Sequence, residues 1–464
     1  MIARPLFSSL LVVLLAGCAV GPDYHASSTG DLGIPAHYDR SAPPAFDERQ
    51  AAIWWQRFND PALDALVTAA VTYNLDVAQA RARLVQARES AVQAGATLLP
   101  SAGATANGGR NIRSPGADSD SYSLGAQASW EIDIFGGNRR ALEAARADAQ
   151  AAGFNLATVH VSIIAETVTN YIQLRLAQEQ LQIARETLAS QDDNLQIARW
   201  RVQAGLANSL DEQQALTLRA QTAASIPSIE QNLRAALARI AVLTGQAPGE
   251  ATRNLEKTGP IPLLPDDIAV GIPADTLRQR PDVRSAERTL AAQTARIGIA
   301  KAAFLPSLQI SGDIGTSALT LGTLGDVVTG GLFAGLSQLL FDGGASASRV
   351  RSQRAGTEGA FAAYRQSVLS ALEDVENALV ANDATDERAR QNTIALDAAT
   401  TSALLARSQY EAGLTDFQTL LTTERSLLSS RNSEAGGRAD RALASVQLYR
   451  ALGGGWQDMN EVKP

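Results

Sequence analysis

The sequence predicts a mainly α protein with a small β part, organised as two structural repeats, each running helix–strand–strand–long helix–helix. Three observations predict it. First, segments recur at one spacing. Leu75-Asp76-Val77 pairs with Pro281-Asp282-Val283, Leu99-Pro100-Ser101 with Leu305-Pro306-Ser307, and Phe135 and Gly137 with Phe341 and Gly343, all 206 residues apart. Second, long stretches lack proline and carry apolar residues every seven positions, the pattern that packs helices as coiled coils. Third, short stretches alternate apolar and polar residues, the period of strands with one apolar face.

The elements follow in order. Arg4 precedes a short apolar run that ends Leu15-Ala16-Gly17-Cys18. A basic start, an apolar core and small residues before a cut mark residues 1–17 as a signal peptide. The run is too short to span a bilayer as a mature helix. Its ending resembles a bacterial lipobox, which implies cleavage before Cys18 and acylation of that residue's sulfur and new amino group. Ala19, standing where an aspartate would retain the chain at the inner membrane, implies the outer membrane by the same resemblance. Residues 18–60 are then expected to form a lipid-anchored extended N-terminal segment.

The first repeat is assigned to 61–256. A helix near 62–98 ends at Leu99-Pro100, since proline lacks the N–H that would continue it. Strands follow at about 101–113 and 121–135. In the second, Tyr122, Leu124, Ala126, Ala128, Trp130, Ile132 and Ile134 face one way, against Ser123, Gly125, Gln127, Ser129, Glu131 and Asp133. A helical hairpin at about 138–245 comes next. Between Asn138 and Ala204 there is no proline and a single glycine, Gly153, which gives one helix of roughly 100 Å at 1.5 Å per residue. Leu174, Leu181, Leu188, Leu195 and Val202 form one seam, and Ala177, Ala184, Gln191 and Ala198 the other.

A linker at 257–273 leads to the second repeat, 274–464. Its helix lies near 282–304, its strands at about 307–316 and 331–341, and its hairpin at about 345–452. Leu308, Ile310 and Ile314 alternate with Gln309, Ser311 and Asp313. Leu332, Ala334, Leu336 and Leu340 continue the apolar face, with Gln338 as an exception and Phe333 on the opposite face. Leu396, Ala403 and Tyr410 pair with Ala399 and Ala406 as seams.

Composition narrows the function. The single cysteine excludes disulfides within the chain, and the net charge of −8 argues against nucleic acid as a partner. His25, His37 and His160 are far apart and lack metal-ligand spacing. Phosphate loops and nucleophile motifs are missing, so an enzyme is not expected. No segment after the signal has 18 consecutive apolar residues, so no transmembrane helix is expected. Four amphipathic strands cannot close a barrel, and open edges do not survive in hydrocarbon. Strands in an exported, anchored chain are therefore expected to join a shared barrel. Two copies give eight strands around a filled interior, and three give twelve around a lumen. Polar faces suit water inside, apolar faces suit lipid outside, and Trp130 suits an interfacial girdle.

Several segments, in order, carry a more specific resemblance. Cys18-Ala19-Val20-Gly21-Pro22-Asp23-Tyr24 is followed by Trp54-Trp55, Phe58 and Asp60-Pro61. Arg280-Pro281-Asp282-Val283-Arg284, Phe304-Leu305-Pro306-Ser307, Phe341-Asp342-Gly343-Gly344 and Tyr449 to Trp456 complete the series. Together they resemble the outer-membrane factors of the TolC family, in the lipoprotein branch of OprM and the NodT-type proteins. The resemblance implies a homotrimer with a 12-stranded β-barrel in outer-membrane lipid and a long periplasmic α-helical coiled-coil tunnel. It implies export of small toxic molecules together with a periplasmic adaptor protein and an inner-membrane efflux pump. It implies no cofactor apart from the covalent lipid on Cys18. A protein-secretion channel and a non-conducting coiled-coil lipoprotein are the rival readings.

The resemblance also marks the hairpin tips. Ala204-Gly205-Leu206 and Ala412-Gly413-Leu414 are expected at the distal turns, where glycine permits positive φ. Gly205, Leu206, Gly413 and Leu414 are the implied adaptor contacts. Asp211 and Asp416 are candidates for a gate ring, with Glu424 nearby, although helix capping explains a lone aspartate equally well. Thr419 and Thr422 stand where related chains often carry acids, and Thr415 where TolC carries a closing arginine. The polar tip residues are thus expected to lack an arginine partner, leaving coiled-coil packing to hold the constriction.

Overall fold

A computed structural model describes residues 19–34, 48–249, 255, 257–264 and 279–457. Cys18, the expected signal peptide and most of the expected linker lie outside the described residues. The protein is mainly helical, with one small antiparallel sheet. Its elements are α1 (Thr29–Leu32), α2 (Glu48–Ala52), a 3-10 turn (Trp54–Phe58), α3 (Pro61–Tyr73), α4 (Leu75–Ala96), β1 (Ser101–Asn111), β2 (Ser119–Ile132), α5 (Gly137–Gln203), α6 (Ser209–Leu243), α7 (Pro281–Ala302), β3 (Ser307–Ala318), a 3-10 turn (Leu321–Thr323), β4 (Val328–Ser337), α8 (Ala345–Glu411) and α9 (Phe417–Ala451).

The chain divides into two compact units. The first draws on residues up to Leu32, Ala82–Asn155 and Asp282–Ser367. It contains the sheet, in the order β1–β2–β3–β4, with every neighbouring pair antiparallel. The pairing of β2 with β3 joins strands from the two halves of the chain. Two strand ends differ from expectation. Ile134 lies beyond β2, because its N–H donates to the Ile132 carbonyl at 2.8 Å and Gly136, at φ +78°, turns the chain. Leu340 lies beyond β4, which ends at Ser337. Gln338, which broke the alternation, lies outside the strand as well.

Aspartates start the helices that follow the strands. The N–H of Arg139 donates to Asp133 Oδ2 at 2.8 Å, and the N–H of Ser346 donates to Asp342 Oδ2 at 2.6 Å. A carboxylate there satisfies donors that the first helical turn leaves open. The residues after Cys18 pack tightly in the same unit. The N–H of Val20 donates to the Phe135 carbonyl at 3.0 Å. Gly21 lies so close to Gly298 that a β-carbon on Gly21 would meet the Gly298 Cα at 2.5 Å. The buried guanidinium of Arg140 donates to Asp23 at 2.6 Å and to Glu143 at 2.7 Å. The Tyr24 hydroxyl donates to Glu287 at 2.9 Å.

The second unit comprises Gly33–Arg81, Leu156–Pro281 and residues from Val368 onward. Its core gathers Trp54, Phe58, Leu63, Val67, Ile164, Val168, Tyr171, Leu174, Ile240, Val446 and Tyr449. The Trp54 and Tyr449 rings stack at 5.1 Å and 9°. The segment expected to be extended over 18–60 is therefore partly helical, since burying Trp54 and Phe58 favours the 3-10 turn that places them side by side. A second correction concerns the helix expected near 62–98, which breaks at Asn74. Asn74 Oδ1 accepts from the N–H groups of Asp76 and Val77, and its Nδ2 donates to the Leu243 carbonyl at 3.0 Å. Asn74 thus caps α4 while tying it to the end of α6.

Gly259 and Lys257 cross α5 on a buried polar anchor. Arg175 donates to the Lys257 carbonyl at 2.7 Å and to the Tyr171 hydroxyl at 2.8 Å, and that hydroxyl donates to Asp60 at 2.5 Å. The seams of α5 are largely buried: Leu174, Ala177, Ala184, Gln191, Leu195 and Ala198 are all under 6% exposed. By composition α5 holds a stretch apolar enough to cross a membrane, and half of that stretch is buried inside the fold, as in the core helix of a bundle.

Candidate channel wall and hairpin tips

The ladder registers sort the sheet into two faces. Directly opposed residues in an antiparallel pair share a face. Ala104 opposes Ala126, Ala126 opposes Ile314 and Ile314 opposes Gly330. Two residues along, Ala128 opposes Gly312, which opposes Leu332, and Trp130 opposes Ile310, which opposes Ala334. This face is apolar across all four strands. It is also bare in the single chain, with Leu332 81% and Ile314 57% exposed. The other face joins Gly103, Gln127, Asp313 and Gly331 in one row, and Glu131, Gln309 and Gly335 in another. It is polar and likewise exposed. Trp130 sits near the helical end of β2, its indole N–H donating to the Leu98 carbonyl at 3.0 Å.

The two tips are built alike within the second unit. Gly205 has φ +71° and Gly413 φ +73°. The N–H of Leu206 reaches back to the Arg201 carbonyl, and that of Leu414 to the Gln409 carbonyl, each at 2.8 Å. With the Gly205–Val202 and Gly413–Tyr410 bonds, these are Schellman closures that need a left-handed residue after each helix. No atom stands within 4 Å of a β-carbon at either glycine, so backbone conformation and not crowding demands them. Leu206 and Leu414 are each 78% exposed.

The next helices begin immediately. Asn208 caps α6 by accepting from the Leu210 N–H. Asp416 caps α9, accepting from the Thr419 N–H at 2.7 Å. Hydrogen bonds from the Thr419 hydroxyl and N–H hold the Asp416 carboxyl below its ordinary pKa. The Thr422 hydroxyl bonds back to the Gln418 carbonyl at 2.8 Å, while Thr415 is half-buried in the turn. Asp211 lies in the first turn of α6.

Under the tips, Leu195, Ala198, Ala215, Leu218, Tyr410, Phe417, Leu420 and Leu421 form one cluster. The expectation that the polar tip residues lack an arginine partner fails at Glu424, which Arg407 reaches. The Arg201 guanidinium lies 4.3 Å above the Tyr410 ring. Burial raises the Tyr410 hydroxyl pKa; Arg201 opposes that rise and Asp211 adds to it, which places charges of both signs around one phenol. Glu424 is also partnered. Arg407 donates to it at 3.3 Å and to Ser190 at 2.7 Å, and Asn194 donates to both its oxygens. Its side chain is only 11% exposed, so it joins the two hairpins instead of lining open space. Sequence reasoning missed Arg201, Arg407 and Asn194. Gln191, the polar residue in an otherwise apolar seam, is buried without a hydrogen-bond partner for its side chain among the described residues, so it gave no signal of these contacts.

Three comparisons with known proteins agree. Residues 66–246 and 272–454 match the family model described as outer membrane efflux protein. Nodulation protein T of Rhizobium leguminosarum bv. trifolii is 31% identical over 459 residues, covering 97% of each chain. The pyoverdine export outer membrane protein OpmQ of Pseudomonas aeruginosa is 32% identical, covering 96% of this chain and 95% of its own. The solved structure of the outer-membrane channel OprN superposes with a TM-score of 0.85 at 34% identity, covering 95% of this chain and all of that one. A chain whose helices and bare amphipathic sheet match these proteins almost end to end belongs to the outer membrane efflux protein family, and is an efflux channel of the outer membrane.

Proposed function

We propose that three copies of this chain share one twelve-stranded barrel in the outer membrane and continue it as a helical tunnel through the periplasm, carrying small toxic molecules outward. The single observation that carries this reading is the four-stranded sheet. Both its faces are exposed, and its outer strands β1 and β4 are each paired on one side only. Unpaired edges are tolerated in lipid only when another strand closes them. An apolar face against lipid and a polar face against water is the arrangement of membrane barrels. The similar element order in the two halves of the chain favours a duplicated origin, each half adding two strands.

In this reading Leu206 and Leu414, exposed beside Gly205 and Gly413, meet a periplasmic adaptor, and an inner-membrane pump supplies the cargo. OpmQ is named for pyoverdine export and CusC for cation efflux, so cargo differs among similar channels. Cys18 carries the lipid, and Asp211 with Asp416 adds negative charge near the tips. The test is native mass spectrometry of detergent-purified protein combined with conductance in planar bilayers. Trimers that conduct are expected. Stable monomers, dimers or silent trimers would overturn the shared twelve-stranded channel.

A further inference from the structure

The polar face of the sheet is uniform except at one place. Along the four strands it carries serine, threonine, asparagine, glutamine and glycine, with Glu131 and Asp313 as its acids and neither lysine nor arginine. Arg110, opposite Asp120, belongs to the other face. One large apolar side chain interrupts this surface: Phe333, 59% exposed. It opposes Ser311, two residues on from Gly331, which opposes Asp313. Its ring folds back across that glycine. A β-carbon at Gly331 would meet Cε2 and Cζ of Phe333 at 2.6 Å and Asp313 Oδ1 at 3.6 Å. Ring and carboxylate therefore meet over the same glycine, and the ring fills the space that a side chain at 331 would take.

We infer that Phe333, Gly331 and Asp313 form a subsite for organic cations, in which an aromatic ring and a carboxylate together receive a positive charge carried on an apolar body. A carboxylate attracts a cation, and an aromatic face attracts one within about 6 Å of its centroid. No cationic side chain on this face competes for either group. The inference rests on the barrel proposed above, in which the face lines the lumen and the subsite occurs once per chain. The competing explanation is that Phe333 merely covers the bare backbone of Gly331. That role needs an apolar side chain at 333 and has no preference for charge.

The experiment uses the full chain in planar bilayers with two probes of like shape and opposite charge, tetraphenylphosphonium and tetraphenylborate. The phosphonium is expected to block conductance at the lower concentration. Phe333→Leu keeps an apolar cover and removes the ring, and should raise the half-blocking phosphonium concentration roughly two- to fivefold, the size of a cation–π contact at an exposed site. Asp313→Asn should weaken phosphonium block without weakening borate block. Equal block by the borate, or a Phe333→Leu channel that matches wild type, overturns the subsite while leaving the channel reading intact. Trimers with no conductance at all would sink both.

Discussion

Asn194 donates a hydrogen bond to each carboxylate oxygen of Glu424, both at 2.7 Å, joining side chains 230 residues apart on different hairpins. Glu424→Ala leaves the Asn194 amide and the Arg407 guanidinium without this acceptor. It should destabilise the chain by about 1–3 kcal/mol, the cost of unsatisfied buried donors, measured by thermal denaturation in detergent. Burial raises the Glu424 pKa, with Asn194 and Arg407 opposing, so the folded chain holds this proton more tightly than the unfolded one. Its contribution to stability is fully present below the ordinary glutamate value and is lost as pH rises through the folded value. Wild type should therefore lose stability relative to Glu424→Gln across that window. A pH-independent difference would show that the carboxyl does not titrate there.

The caps at the tips allow charge to be separated from structure. Asparagine caps as well as aspartate, so Asp416→Asn preserves the bond to Thr419 while removing charge. The depressed Asp416 pKa means that its stabilisation is present above the ordinary aspartate value and lost as pH falls through the folded one. Asp211→Asn combined with Asp416→Asn should lower cation selectivity in single-channel recordings. Unchanged conductance and selectivity would reduce both residues to helix-end roles.

Gly205→Val and Gly413→Val place a β-branched residue at φ +71° and +73°. Such strain costs roughly 1–3 kcal/mol per site. Because neither position is crowded, trimers should persist. Binding of a periplasmic adaptor to the reshaped tip should fall, as read by pull-down or surface resonance. Intact adaptor binding would move that contact away from the turns.

Ile314 opposes Ala126 in the middle of its ladder, whereas Ile132 opposes Leu308 at the end. Ile314→Arg should cost roughly 2–4 kcal/mol if the apolar face meets lipid at mid-depth, and Ile132→Arg about 0–1. Glu131→Arg, on the polar face, should leave assembly intact. Refolding into vesicles under a urea titration measures all three. Equal penalties would overturn the assignment of faces.

Cys18→Ser should abolish incorporation of labelled palmitate, which the wild type should take up. Each buried methylene contributes about 0.8 kcal/mol to membrane binding. Disrupting the following residues with Arg140→Ala should leave labelling intact but loosen the segment from Val20 to Tyr24, detected by limited proteolysis. Wild type without label would remove the anchor.

Much of the chain was legible because its patterns are local. Proline-free heptads place α5 and α8, alternation places β2 and β3, and Ala-Gly-Leu marks both turns, since helix period, strand period and left-handed φ are each decided by a few neighbouring residues. The tertiary structure decided what depends on partners distant in sequence. Asn74 splits a helix that its own sequence would continue, because its amide reaches Leu243. Glu424 reads as an acid beside the candidate gate ring until Asn194 and Arg407 close around it. Phe333 breaks a polar alternation, and only the register of β3 against β4 sets it beside Asp313. A side chain's environment is a property of register and reach between segments, and a linear pattern carries neither.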